Sequence, residues 1–270
     1  MRLYSIYYFK NVRKELSDYF SDRYKAFKIS DAESLDRIKF GVLPRKVIKM
    51  GKREHIDSFF KTGRIRLGSF SYYQSFEHAE IGDNSEGVFE LIGLEKKQGF
   101  FAKVGMGFNN YIFCAYGDDL NLSELKKFNY DASFEIVDMH GFCKAINGAL
   151  KTHSYKFANC LYSDSKIFRK KLKEGEFDFK IINANSFNLL DGKTNFVKNT
   201  SYKNQKEFRI LFNTDKEVGD YIDIDCFEAV KYCRRVDCLR VIRNAWHFYH
   251  ALILVFKVVC GSFGIALLTP

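Results

Sequence analysis

The sequence predicts an α+β fold, and three observations carry the prediction. Strand-like runs with a period of two dominate the middle of the 270-residue chain. Helix-like runs with periods of three and four stand in front of them and between them. No repeat appears at solenoid spacing, so the pattern is that of one mixed core rather than an array. The content of 46% hydrophobic residues suffices for a sizeable core, and only two prolines rule out a proline-rich linker.

The elements follow in order. In NVRKELSDYFSDRYKAF the apolar positions Val12, Leu16, Tyr19, Phe20, Tyr24 and Phe27 share one helical face. After the breaks at Gly41 and Pro44, RKVIKMGKREHIDSFFKTG reads as a second helix that ends at Gly63, a C-terminal cap position. From Arg64 the period changes to two, so RIRLGSF is expected to be a strand with Ile65 and Leu67 on the core side and Arg64 and Arg66 opposite. GVFELIGLE, GFFAKVGMGF, NNYIFCAYG, FDFKIINA and KEFRILFN are further strand candidates, the last followed by YIDIDCFEAVKYC. HGFCKAINGALK and SDSKIFRKKLKEG are expected to be helices. This divides the chain into an N-terminal helical segment, 1–50, an α+β unit, 51–243, and an apolar tail, 244–270. Within the tail, ALILVFKVVCGSFGIALLT is long enough to cross a bilayer, but its central turn signal CGSFG favours buried core strands over a membrane anchor.

Composition narrows the setting. A formal net charge of +10 favours an anionic partner such as RNA or DNA. Seven cysteines, an odd number without a CxxC pair, together with a first segment MRLYSIYYFKNVRKEL that lacks a signal-peptide core, point to a reducing cytoplasm. Cys226, Cys233 and Cys238 with His247 match no standard zinc spacing, so buried free thiols are expected and no metal is assigned.

Two polar clusters stand out. The first, FFKTGRIRLGSFSYYQSFEHAEIGDNSEG, gathers Arg64, Arg66, Tyr72, Tyr73 and the loop carboxylates Asp83 and Glu86. In the second, SYKNQKEFRILFN, an extended chain sends Glu207, Arg209 and Leu211 to one side and Phe208, Ile210 and Phe212 to the other. Gln205 joins the Glu207 side if the strand begins earlier. The plain account of Glu207 and Arg209 is an ion pair on a half-exposed strand. The chemical account joins the clusters, because a carboxylate, arginine fork donors and an aromatic face suit cleavage of a glycosidic bond to a cationic leaving group such as nicotinamide. Asp83 and Glu86 with Glu77 or Glu80 also suit a divalent metal, as a nuclease needs, with His55 or His78 as base.

The ordered motifs FFKTGRIRLGSFSYY, GDNSEG, YIFCAYG, YKNQKEFRI and FEAVKY resemble a family of bacterial proteins described as a domain of unknown function, over about residues 50–235. Their layout in turn resembles ADP-ribosyltransferase toxins and phage-defence effectors, whose split pair of antiparallel sheets with flanking helices clasps NAD. That resemblance implies Arg66, with Arg64, on the NAD phosphates or ribose, and Ser71 or Tyr73 at the middle position with Tyr72 beside it. Gln205 and Glu207 then form the catalytic triplet, Tyr73 stacking on nicotinamide and Gln205 positioning the acceptor. The chain carries no Ser-Thr-Ser segment, and its tyrosine pair follows the first strand closely. The function expected is a cytoplasmic mono-ADP-ribosyltransferase that uses NAD as substrate and nucleic acid as acceptor, with an antitoxin protein as a further partner. The rivals are a non-catalytic nucleic-acid-binding or toxin–antitoxin interaction protein and a metal-dependent nuclease.

Overall fold

The computed structural model describes residues 1–9, 29–75, 85–95, 98–119, 122–175 and 190–236. Strands β1 (Arg2–Phe9), β2 (Ser30–Asp31) and β3 (Ile48–Gly51) precede helix α1 (Arg53–Thr62), strand β4 (Arg64–Gly68) and helix α2 (Phe70–Ser75). Strands β5 (Val88–Leu94), β6 (Gly99–Gly105) and β7 (Asn110–Tyr116) form a run of their own. Helix α3 (Leu122–Lys127), strand β8 (Ala132–Ile136) and helix α4 (Met139–Leu150) lead into β9 (Ser154–Asn159), β10 (Leu161–Ser163) and β11 (Ile167–Lys171). The last described elements are β12 (Val197–Asn199), β13 (Glu207–Asn213), β14 (Tyr221–Asp225), helix α5 (Phe227–Val230) and β15 (Cys233–Val236).

The result is a mixed, mostly antiparallel α+β architecture. A five-stranded sheet runs β1-β6-β5-β11-β2, and an eight-stranded sheet runs β14-β4-β7-β3-β8-β15 with β13 and then β9 on the other side of β7. One edge of β7 is therefore filled by β13 along its length, from Glu207 opposite Tyr116 to Asn213 opposite Asn110. The other edge is shared, β4 meeting it at Ile112 and β3 at Tyr116.

The large sheet has a core on each face. Phe208, Ile210 and Phe212 of β13, with Phe113 of β7, pack under Phe59 of α1 and Phe142 and Ile146 of α4. Leu211 and Ile112 face the opposite way, toward Leu91, Phe100 and Phe168 of the smaller sheet. The alternation expected for 207–212 is therefore observed, but both faces are buried. The strand is not the half-exposed one of the plain account.

Gly63 ends α1 as the sequence predicts, in the left-handed region at φ 77°, with its N–H donating to the Phe59 carbonyl. Its own carbonyl accepts from Cys226 N–H at 2.9 Å, and a Cβ there would stand 2.3 Å from the backbone nitrogen of Phe227. Gly63→Ala is expected to cost at least about 2 kcal/mol, because strain at positive φ adds to a backbone clash. The check is a lower urea midpoint at unchanged m-value.

Three expectations are corrected. Within SDSKIFRKKLKEG the segment Ile167–Lys171 is not helical but strand β11, running parallel to β5 with Ile167 and Phe168 buried, so sheet pairing outweighs its helix-like charge pattern. Within RKVIKMGKREHIDSFFKTG the helix begins only at Arg53, and the β-branched front forms β3. No boundary falls behind residue 50, and the described part of 1–50 is not mainly helical: Arg2–Phe9 pairs along β6, and β3 spans position 50. The expected helix at 11–27, the strand at 177–184 and the apolar tail lie outside the described residues. Among those described, no helix is long and apolar enough to cross a membrane.

Candidate functional site

The site is built on β13 and completed by residues from every layer around it. Glu207 opens the strand, just after Lys206 at φ 41° closes the 3-10 turn Thr200–Gln205. The Glu207 N–H donates to the Tyr162 hydroxyl at 2.7 Å, and its carbonyl accepts from Cys160 N–H at 2.8 Å, so its backbone is fixed from both sides. Arg209, two residues on, projects from the same face and is the largest fully buried side chain among the described residues.

Four buried charges interlock there. Glu207 Oε1 accepts from Arg209 Nε at 2.6 Å and Oε2 accepts from Lys198 Nζ at 2.8 Å. Arg209 donates both terminal nitrogens to Glu86, at 3.1 and 3.0 Å, and Nη1 also to the Asn195 carbonyl at 2.6 Å. Lys198 donates to Gln205 Oε1 at 2.7 Å and stands 3.5 Å from Glu86 Oε1. Glu86 reaches inward because Gly87, at φ 69°, turns the chain where a Cβ would meet the Met106 carbonyl at 2.8 Å. Two cations and two anions cancel, which is how charges at 1–6% exposure survive burial. Burial pushes the Glu207 pKa upward, but Arg209 and Lys198 outweigh it and hold the carboxyl far below its ordinary range. Burial likewise works against the Lys198 ammonium, and Glu207 and Glu86 overcome it.

A carboxylate whose folded pKa is depressed contributes stability above its unfolded value, and loses it as pH falls through the folded one. For Glu207 the ordinary value is 4.5. Thermal denaturation is therefore expected to give a network contribution that holds from neutral pH down to about 5 and declines below about 4.5, and to decline less in Glu207→Gln.

Glu207, Arg209, Lys198 and Glu86 form one wall of a cavity of about 130 Å³, which Lys49 and Met50 of β3 and Cys114–Tyr116 of β7 also line. Tyr73, Tyr116, Phe128 and Tyr130 supply aromatic surface, and Lys49 supplies a fifth charge. The Lys49 ammonium donates to the Cys114 carbonyl at 2.8 Å and makes no ion pair among the described residues. Burial lowers its pKa. With Lys49 protonated the wall carries one excess positive charge, so the cavity favours an electron-rich or anionic group. Tyr73 stays a neutral phenol, its pKa raised chiefly by burial. The volume is about that needed for a single benzene-sized ring.

The sequence-named residues fall into two groups. Glu207, Gln205 and Tyr73 meet at this cavity. Arg66 and Arg64 do not line it: they sit opposite Asp223 on β14, Arg66 Nε and Nη2 each donating at 2.8 Å and Arg64 at 3.4 Å. Arg66 also stacks 4.1 Å above the Tyr221 ring, which contacts Tyr72, and Tyr72 contacts Tyr73. Tyr72 is thus one ring removed from the cavity. Ser71 lies on α2, a helix rather than the middle strand expected, and does not line the cavity. Glu86, proposed as a metal ligand, is committed to Arg209, while Asp83, Glu77, Glu80 and His78 lie outside the described residues. Among the described residues no three His, Cys, Asp or Glu side chains cluster as a metal site. Cys114 lines the cavity, but its thiol is pushed up to about 12 by burial and then by Glu207, so it is no nucleophile.

Lys198 and Lys49 are the site cations that sequence spacing missed, whereas Arg209 is paired with Glu207 as expected and differs only in being buried. Arg209 had a signal: a charge inside the apolar run FRILF is a charge on a strand buried on both sides. No protein family, curated protein or solved structure matches the chain in comparison.

Proposed function

We propose that the chain is an NAD-consuming mono-ADP-ribosyltransferase of the toxin or phage-defence kind, with an ADP-ribosyltransferase-like arrangement of its sheets and nucleic acid as acceptor. The observation that supports this reading is the Glu207 carboxylate, its charged form favoured by Arg209 and Lys198, on the wall of a small cavity lined by four aromatic side chains. Nicotinamide would occupy the aromatic volume, with Tyr73 against its face. Each Glu207 oxygen keeps a second lone pair beyond its bond to Arg209 or Lys198, available to a ribose hydroxyl. As the C–N bond to nicotinamide breaks, the electron pair leaves with the now neutral ring, and the ribose becomes an oxocarbenium ion that the carboxylate stabilises. An acceptor lone pair then bonds to the anomeric carbon and the acceptor proton passes to water. Gln205, on the cavity wall and tied to Lys198, would orient the acceptor.

Phosphate binding, which the resemblance gave to Arg66, falls on this reading to Lys49. The net charge of +10 and the exposed Lys126 and Lys127, next to cavity residue Phe128, support a polyanionic acceptor.

The test is incubation with NAD labelled in the adenylate half and with RNA, DNA or protein, with and without EDTA. Label transfer that ignores the chelator is the expected result. Chelator-sensitive strand cutting would support the nuclease instead, and salt-sensitive binding without label transfer would support a non-catalytic binding module. The binding module has one observation in its favour, the neutralisation of Glu207 by two cations, and the same assay on Glu207→Gln decides it.

A further inference from the structure

Lys49 of β3 lines the Glu207 cavity beside a wall whose charges are already balanced. Glu207 and Glu86 answer Arg209 and Lys198, so a proton on Lys49 is a fifth charge with no carboxylate partner among the described residues. The Lys49 amine donates to the Cys114 carbonyl at 2.8 Å and stands 4.8 Å from the centre of the Phe113 ring, an attraction weaker than an ion pair. Burial favours its uncharged form, and the two groups that oppose burial, Cys114 and Glu207, do not reverse the direction. Cys114 is itself a neutral thiol, titrating only at about 12.

A lysine without its proton is a nucleophile, because the freed lone pair is available to a carbonyl carbon. The rest of the lining selects the carbonyl compound. Tyr73, Tyr116, Phe128 and Tyr130 offer aromatic surface, and a volume of about 130 Å³ suffices for one ring. We propose that Lys49 is a reactive amine that forms an imine with an uncharged aldehyde carried on a single aromatic ring. The lone pair bonds to the aldehyde carbon, the two amine protons leave with the aldehyde oxygen as water, and a C=N bond remains. The inference does not depend on the transferase reading. An anion in the cavity keeps the proton on Lys49, as phosphate binding requires, whereas an uncharged ring meets the free amine.

The experiment treats the full chain at neutral pH with pyridine-3-carbaldehyde and cyanoborohydride, which reduces an imine to a stable secondary amine, and reads each lysine by peptide mass spectrometry. An ordinary surface lysine is free amine in only about one molecule in 2,500 under these conditions. Lys49 is therefore expected to be labelled at least about tenfold faster than the exposed Lys126 and Lys127. The preference is expected to vanish in urea, where every lysine is equally solvated, and with naphthalene-2-carbaldehyde, whose two rings exceed the cavity. A preference for Lys49 in the folded chain that is lost under both of these conditions supports the site. Labelling of Lys49 no faster than of Lys126 and Lys127, or a preference that persists in urea or with the two-ring aldehyde, overturns it.

Discussion

Arg209→Met is expected to unfold at a midpoint roughly 10 °C below the parent, among the large single-replacement losses expected in the described residues. The guanidinium is 1% exposed and serves Glu207, Glu86 and the Asn195 carbonyl at once. Its removal leaves two carboxylates facing one another with only Lys198 to share, and breaking a buried ion pair from one side costs about 3–5 kcal/mol. The loss comes from the abandoned charges rather than from missing attraction. Replacing Arg209 together with Glu86 by apolar side chains is therefore expected to recover part of the deficit. Differential scanning calorimetry on the single and double variants measures it. A single variant as stable as the parent would mean that Glu86 and Glu207 are not buried together.

The second large effect concerns turnover. On the transferase reading proposed above, Glu207→Gln is expected to lower nicotinamide release by about 10²–10³-fold, the loss typical when one electrostatic group is removed from a developing charge. The substitution keeps the side-chain volume but removes the charge that Arg209 and Lys198 oppose, so a stability cost accompanies it. The two effects separate by measurement. A folded Glu207→Gln protein, verified by its cooperative thermal transition, that still releases nicotinamide at the parental rate would remove Glu207 from the chemistry.

What the sequence disclosed and concealed follows from the range of each signal. The alternation in EFRILF fixed which side chains leave β13 together, because strand geometry is local. The cap at Gly63 was equally legible, since a left-handed residue after an apolar-periodic run is a local feature. Arg66 was placed on the correct face of β4 yet assigned the wrong neighbour. Its partner Asp223 lies 157 positions away, and no spacing rule relates the two. Lys198 and Lys49 were missed for the same reason: Lys198 meets Glu86 and Lys49 meets the Cys114 carbonyl, partners remote in sequence. The parallel pairing of β11 with β5 overrode a charge pattern that reads as helical.

The join between Glu86 and Arg209 spans 123 positions. During synthesis the acidic partner leaves the ribosome long before the basic one exists, so the layer containing Glu86 cannot close dry until β13 arrives. Chain fragments that stop short of Arg209 should remain hydrated and open at this point, which makes completion of the interior a late, all-or-none event set by the last central strand.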